Sequence, residues 1–566
     1  MYDWHHNITV RPVYGHVPTA KDGERTLLGV TAAEQKGCNT NHSNCTKDVV
    51  FVANIDPAKL ASGSYSASIM YTATARPKPA FTDWDQRTAK VSPSEVCRSG
   101  DNNSSCLVDL DKNMIPVKYT GTTTNAQWTS ISNPEDEDAK GNWYDYGKKQ
   151  WANAVTVKKE ALAKYQGQDK VVDQADILGF WVYIPRYTYE VMRRDGTDKP
   201  VKEQNFDIKF ENTKTPKKRP QACKTGNGKD YRTECNVSRE LPLMGGEVST
   251  WSTHPVFSFG KKELNGVWFG KFDVTGDAIQ PTVLPNESYM SGNIGGIEDR
   301  MSSFYALAKT LGANDPGNVG GDNISTAQNN HHLTKFSSHM VNNNDWGAVV
   351  YLSASKYGVG YNGVQKNAQI SFVDSWGTTG CGPSADGSTD SYRDVGTFGA
   401  QSACSTENLQ RAYNGSIGQL ASTTSNVTGI YDMSGNGKYV AASYINNHKK
   451  DDSGNKDENE RFISAVHLPY ANTYNIENLN DCTFDTCGGQ ALYETNNGKG
   501  SGNGKYQWKN SYLNMNFWGY NAWLIRDEFY SVYHGGGQFY ISLNTGPYTR
   551  VTYYAFRVAL APTAQN

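Results

Sequence analysis

The stretch ILGFWVYIPRYTYEVMR, residues 177–193, decides how the chain is read. It is rich in β-branched and aromatic residues and reads as strand. Similar strand-like runs recur as NGVWFGKFDV (265–274) and YYAFRVAL (553–560), spread over more than 370 residues with no clean boundary from about 107 onward. Helical patterns are few. DWGAVVYLSASKY (345–357) has Asn344 or Asp345 as N-cap and Gly358 after it. SSFYALAKTLG (302–312) carries Phe304, Leu307, Ala308 and Leu311 on one face and Gly312 as a stop. Long Gly/Asn/Ser insertions separate these elements, for example 313–331 and 376–406. The fold class expected is α+β.

The N-terminal 76 residues differ in texture. HNITVRPVYG, DVVFVANID and SGSYSASIMYTATA are short alternating segments between turn residues. The last places Tyr65, Ala67, Ile69, Tyr71 and Ala73 on one face at period two. A small β-sandwich over 1–76 is expected, and its last segment resembles the closing strands of immunoglobulin-like modules on bacterial surface proteins. Residues 77–106 read as a linker with a disulfide loop.

The chain has 566 residues, and 55 Lys+Arg nearly cancel 57 Asp+Glu. Without a charge block, nucleic acid is not an expected partner. Mean hydropathy is −0.65 and no apolar run reaches the length of a spanning helix, so no membrane span is expected. With 34 Tyr, 19 Phe and 13 Trp the chain can bury a large core, which argues against disorder. The ten cysteines form five sequence-local pairs around polar loops: Cys38/Cys45, Cys97/Cys106, Cys223/Cys235, Cys381/Cys404 and Cys482/Cys487. They read as nearest-neighbour disulfides of an extracellular or cell-surface protein. Metal knuckles are the rival, disfavoured because no CxxC occurs.

No catalytic signature emerges: HExxH, GxSxG, Walker A and a strand-linked GxGxxG are all missing. His5-His6 and His331-His332 are adjacent pairs whose side chains diverge, and they read as surface histidines. Glu135-Asp136-Glu137-Asp138 reads as a solvated loop. No cofactor is expected. The one metal candidate is structural calcium at 451–460, where Asp451, Ser453, Asn455 and Asp457 are spaced as a cradle. There Lys456 replaces the glycine that an EF-hand needs.

The ordered phrases WYDYGKKQWANAV (143–155), 177–193, HPVFSFGKKELNGVWFGKFDVTG (254–276), WGAVVYLSASKYG (346–358) and TGIYDMSGN (428–436), closing on AFRVAL (555–560), carry a resemblance. Together they resemble large bacterial extracellular proteins with a C-type-lectin-like domain of the formylglycine-generating-enzyme kind. The resemblance covers 107–566 and implies that fold with long loop insertions. The sequence departs from the family at Gly437-Lys438-Tyr439-Val440, where an aromatic–acidic–aromatic phrase is usual, and has no cysteine after Cys487 for a reactive copper-binding pair. The family's oxidase activity is therefore not carried over.

Segment 520–554, YNAWLIRDEFYSVYHGGGQFYISLNTGPYTRVTYY, holds seven Tyr in 35 residues, no Lys, Met or Cys, and one each of Trp, Glu and Gln (Trp523, Glu528 and Gln538). Tyr with small polar residues is a paratope-like vocabulary. A Tyr-rich hairpin buried in the core is the plainer reading, although neighbouring Tyr such as Tyr553/Tyr554 cannot all face inward on a strand. The pattern resembles the variable region of proteins diversified by a reverse-transcriptase retroelement, in which adenine-randomised Asn-type codons cannot yield Lys, Met, Trp, Glu or Gln. About 505–560 would be that region. The resemblance implies a frame of Trp523, Arg526, Gly535, Gly536, Phe539, Gly546, Phe556 and Arg557. The ligand-facing positions it implies are Tyr520, Asn521, Leu524, Asp527, Tyr530, Tyr533, His534, Tyr540, Ser542, Asn544, Tyr548, Thr549, Thr552 and Tyr553. The expected function is recognition without catalysis, with a macromolecular ligand, such as a protein on another cell, as partner. A surface filament or pilin-like subunit, a formylglycine-generating-type oxidase and a phage receptor-binding protein are the alternatives.

Overall fold

The computed structural model describes residues 2–5, 9–12, 96–102, 104–193, 204–212, 251–285, 301–313, 329–360, 412–416, 418–433, 438–445, 470–474, 487–492, 513–514, 523–526, 541–545 and 554–563. The chain divides into two compact units, Met1–Pro79 and Ala80–Asn566. In the first, Tyr2–His5 and Thr9–Pro12 pair as an antiparallel hairpin. The 62–75 segment lies outside the described residues.

The second unit is a mixed structure, mostly antiparallel sheet with few helices. Its centre is a seven-stranded antiparallel sheet in the order Phe336–Met340, Val558–Pro562, Gly266–Gly270, Ile177–Pro185, Asn153–Val157, Met114–Tyr119, Trp128–Ser130. The C-terminal strand thus inserts between two others, pairing Leu560 with both Trp268 and Ser338. All nine residues of Ile177–Pro185 are buried, so this strand has apolar cover on both faces. Trp151, Trp181, Trp268 and Trp346 are fully enclosed. Indole N–H groups reach acceptors, as in Trp268 Nε1 to Asp109 O at 2.5 Å and Trp151 Nε1 to Tyr357 O at 2.8 Å.

The 177–193 run is two strands, not one. Tyr187–Arg193 leaves the central sheet and joins Gln204–Phe210 and Ser252–Thr253 in a three-stranded sheet. The corner is Arg186, whose backbone N–H donates to Asn265 O and whose buried guanidinium pairs with Glu211 (3.2 Å) and Glu263 (2.8 Å).

Helix α1 spans Met301–Ala308, shorter than the 302–312 pattern, but Phe304, Leu307, Ala308 and Leu311 are all buried as one apolar set. The N–H of Gly312 donates to Ser338 Oγ. Helix α2 spans Asn343–Ser353. It starts earlier than the sequence pattern indicates, because Asn342 is the cap. The Asn342 side chain accepts from the N–H groups of Asn344 and Asp345, and Asp345 Oδ2 accepts from Asn342 N–H at 2.9 Å, which is a capping box. Asp345 Oδ2 also meets His339 Nε2 at 3.1 Å, tying the helix start to the central sheet. Replacing Asn342 with Ala is expected to cost about 1 kcal/mol, read as a lower urea midpoint at unchanged m-value.

Three further expectations are corrected. His331 is buried rather than on the surface. Its Nδ1 meets Thr156 Oγ1 at 2.7 Å, its Nε2 meets Pro281 O at 3.0 Å, and its ring packs T-shaped with Trp181. His332 is half-buried at a positive φ of 57°. His5 and His6 carry no described side chain. In the supposed linker, the disulfide loop is packed into the second unit: Cys97, Ser99, Ser104, Ser105 and Cys106 are buried, Cys97 and Cys106 are joined by a disulfide, and Ser99 N–H donates to Tyr144 O. Finally, the acidic run is only partly solvated. Glu137 and Asp138 are exposed, but Glu135 accepts from Gly100 N–H at 2.9 Å and latches the disulfide loop.

Among the described residues no helix is long and apolar enough to cross a membrane, and no group of three His, Cys, Asp or Glu side chains gathers as a metal site. The 451–460 loop lies outside the described residues, as do Cys38, Cys45, Cys223, Cys235, Cys381, Cys404 and Cys482. Cys487 is buried and disulfide-bonded.

Candidate ligand-binding surface

Strands Trp523–Arg526 and Ile541–Thr545 pair antiparallel, with Leu524 opposite Leu543, Ile525 opposite Ser542 and Arg526 opposite Ile541. The register shifts between Trp523 and Leu524, an irregularity of the kind that re-aims a strand. The pair belongs to a second sheet in the order Asn472–Tyr474, Lys438–Ile445, Trp523–Arg526, Ile541–Thr545, Leu513–Asn514, with Tyr554–Ala555 alongside Lys438–Ile445. The segment 527–540 is therefore the connection between two paired strands. It carries Asp527, Tyr530, Tyr533, His534 and Tyr540, which lie outside the described residues. So do Tyr520, Asn521, Tyr548, Thr549, Thr552, Tyr553 and the frame positions Gly535, Gly536, Phe539 and Gly546. Ser542 and Asn544 lie on the second strand.

Leu524 does not fit the ligand-facing set. It is completely buried, as is Arg526 two residues on. Side chains at spacing two share one face of a strand, so the face bearing Leu524 and Arg526 is the inner one.

Arg526 explains how the strand is held. Its Nε donates to Asn343 Oδ1 at 2.8 Å, Nη1 to Ala491 O at 3.3 Å and Nη2 to Gln490 O. Burial pushes the guanidinium down to about 10. Asn343, in the first turn of α2, is the hub of this arrangement. Its backbone N–H donates to Ser443 Oγ (3.0 Å) and Asn472 Oδ1 (2.8 Å), and its Nδ2 donates to Tyr474 Oη at 2.7 Å. The Tyr474 hydroxyl donates in turn to Gln490 Oε1. Helix α2, the second sheet and the 487–492 turn beside Cys487 thus meet around one guanidinium. The helix also approaches that turn closely. A Cβ on Gly347 would stand 1.9 Å from Gly489 O, so only glycine fits there.

The other expected frame residues close the central sheet. Phe556 is fully buried and stacks on Phe304 of α1 at 4.8 Å. Arg557 donates to Gly270 O (2.8 Å), Tyr431 O (2.7 Å) and Asp273 Oδ1 (2.7 Å). The phrases FGKFDV, IYDMSGN and AFRVAL, far apart in sequence, therefore converge on one buried guanidinium.

Sequence reasoning missed Asn343 and Lys271. Asn343 sits in the run Asn342-Asn343-Asn344, a capping signal placed two or three residues too late. Lys271 is the one basic residue inside VWFGKFDV, and that break in an apolar phrase was the available signal. It is fully buried, with Nζ donating to Val427 O (2.6 Å), Asn153 Oδ1 (2.8 Å) and Gly429 O (2.9 Å). Two rings flank it, Trp128 at 5.0 Å and Tyr431 at 5.4 Å.

No protein-family model matches the chain, and no curated protein matches it.

Proposed function

We propose that this chain is an extracellular or cell-surface ligand-binding protein that presents segment 520–554 as a Tyr-rich recognition surface on a C-type-lectin-like domain, which follows an immunoglobulin-like N-terminal unit in the sequence. It works by binding, without catalysis. The observation that carries this reading is compositional: seven Tyr in 35 residues, with no Lys, Met or Cys. Tyr supplies large, rigid contact area at low entropic cost, and Ser, Thr and Asn adapt their hydrogen bonds to a macromolecular partner. The anchoring of the 523–526 strand through Arg526 adds support, because a recognition loop gains affinity from a base that does not move. The lack of Lys and Met, with only one each of Trp, Glu and Gln (Trp523, Glu528 and Gln538), is also close to what adenine randomisation of Asn-type codons would leave, which favours retroelement diversification as the origin of the segment.

The test is population sequencing of codons 520–554 in the source cells. Substitutions are expected to cluster at Tyr530, Tyr533, His534, Tyr540, Tyr548 and Tyr553, and to spare Leu524, Arg526, Phe556 and Arg557. An invariant segment, in a gene whose neutral sites vary elsewhere, would remove the diversified-surface reading.

A further inference from the structure

Lys271 and Asn153 form an unusual pair. Both are buried, at 0% and 1% exposure, and Lys271 Nζ stands 2.8 Å from Asn153 Oδ1. Among the described residues no carboxylate contacts the amine. Its partners are Asn153 Oδ1, the carbonyls of Val427 and Gly429, and the two ring faces. The amide orientation is set by its surroundings: Asn153 Nδ2 donates to Trp151 O (2.9 Å) and Thr428 O (2.8 Å), which leaves Oδ1 toward the lysine. Since Cγ is bonded to Oδ1 at about 1.2 Å, Nζ lies within about 4 Å of the amide carbon, a small shift from the 3–3.5 Å of a near-attack geometry.

We propose that Lys271 and Asn153 are the two partners of an intramolecular isopeptide cross-link. The Lys271 amine adds to Cγ of Asn153 and forms the new C–N bond. One proton passes from Nζ to Nδ2, the Cγ–Nδ2 bond breaks, and ammonia leaves as the carbonyl is restored. One amide replaces another, so no oxidant, reductant or further reactant is needed.

The site supplies what the step requires. The nucleophile must be the neutral amine, and burial without a carboxylate holds Lys271 well below its ordinary range. A neutral amine has two hydrogens and one lone pair. In the neutral amine Val427 O and Gly429 O keep the two hydrogens, and the lone pair takes the place of the hydrogen bond to Asn153 Oδ1. The carbonyls of Trp151 and Thr428 hold the departing nitrogen. Trp128 and Tyr431 flank the amine, and Asn153 is itself buried, which keeps competing water from the amide carbon. The product would join strand Asn153–Val157 to the residue that follows Gly266–Gly270, across the intervening strand Ile177–Pro185.

The experiment is intact mass measurement of the full-length chain, reduced and unfolded, followed by peptide mapping. The expected mass is lower than that of the sequence by one ammonia, and the map contains a branched peptide joining residues 153 and 271. Lys271→Met and Asn153→Ala each restore the uncorrected mass. If those variants fail to fold, the map of the unaltered chain decides alone. A full sequence mass, with Lys271 recovered in a linear peptide bearing a free ε-amine, overturns the proposal. Ammonia loss confined to a linear peptide from another asparagine also overturns it.

Discussion

Arg526→Met destabilises the second sheet by about 3 kcal/mol. Methionine keeps most of the stem volume, so the loss comes from polar groups and not from a cavity. Three acceptors lose their donor: Asn343 Oδ1, Gln490 O and Ala491 O. Each stranded acceptor in a buried site costs about 1–3 kcal/mol. Against that sum stands a gain, since removing a buried guanidinium that pairs with no carboxylate among the described residues relieves its desolvation cost. The balance stays unfavourable because the acceptors remain while the donor goes. Arg526→Lys should fall between the two, because one ammonium cannot span acceptors on α2 and on the 487–492 turn at once. The most direct readout is amide hydrogen exchange, which should speed up in Asn472–Tyr474 and 487–492 before any change in the central sheet. Unchanged exchange there, with an unchanged melting temperature, would show that the strand is held by something other than Arg526.

How much of this was readable from the residues alone differs from place to place, for physical reasons. Ile177–Pro185 was legible because a run of Ile, Phe, Trp, Val and Tyr has no other stable place than a covered strand. The break at Arg186 was not, since the switch of sheets is enforced by Glu211 and Glu263, which come from distant parts of the chain. Helix α2 was found and its start misplaced, because three consecutive asparagines can each cap and only the contact with Ser443 and Asn472 selects Asn342. His331 was misread because adjacency argues against chelation but says nothing about burial. Its environment is built from Thr156, Trp181 and Pro281, none of them local. Leu524 was placed on the surface by analogy of position, and its burial follows from the alternation that also buries Arg526. The motif phrases were a better guide, since Arg557 draws three of them together.

Two of the buried histidines, His254 and His331, set the behaviour in acid. His254 lies among the rings of Tyr187, Tyr189, Phe257 and Tyr351, and burial pushes it down to about 3, partly offset by a backbone bond to Gly489. Burial likewise pushes His331 down to about 4, partly offset by its bond to Pro281 O. Neutral His331 fits its site: Nε2–H donates to Pro281 O and Nδ1 accepts from the Thr156 hydroxyl, which in turn accepts from Trp181 Nε1–H at 3.1 Å. In the unfolded chain both histidines titrate near 6.5. Between that value and the folded values the unfolded state binds more protons, so stability falls as pH falls. The contribution of each histidine is intact above about pH 6.5 and decreases by about 2 kcal/mol by about pH 5. Lys309, pushed down to about 8, is protonated in both states across this window and adds no slope. Urea unfolding of the chain should therefore lose about 4 kcal/mol between about pH 7 and 5 where the transition is cooperative. His331→Gln should remove about half of that slope, because glutamine can still donate to Pro281 O but cannot gain a proton. A stability that stays level from pH 7 to 5, or a slope unaffected by His331→Gln, would mean that neither imidazole enters the fold as the neutral form.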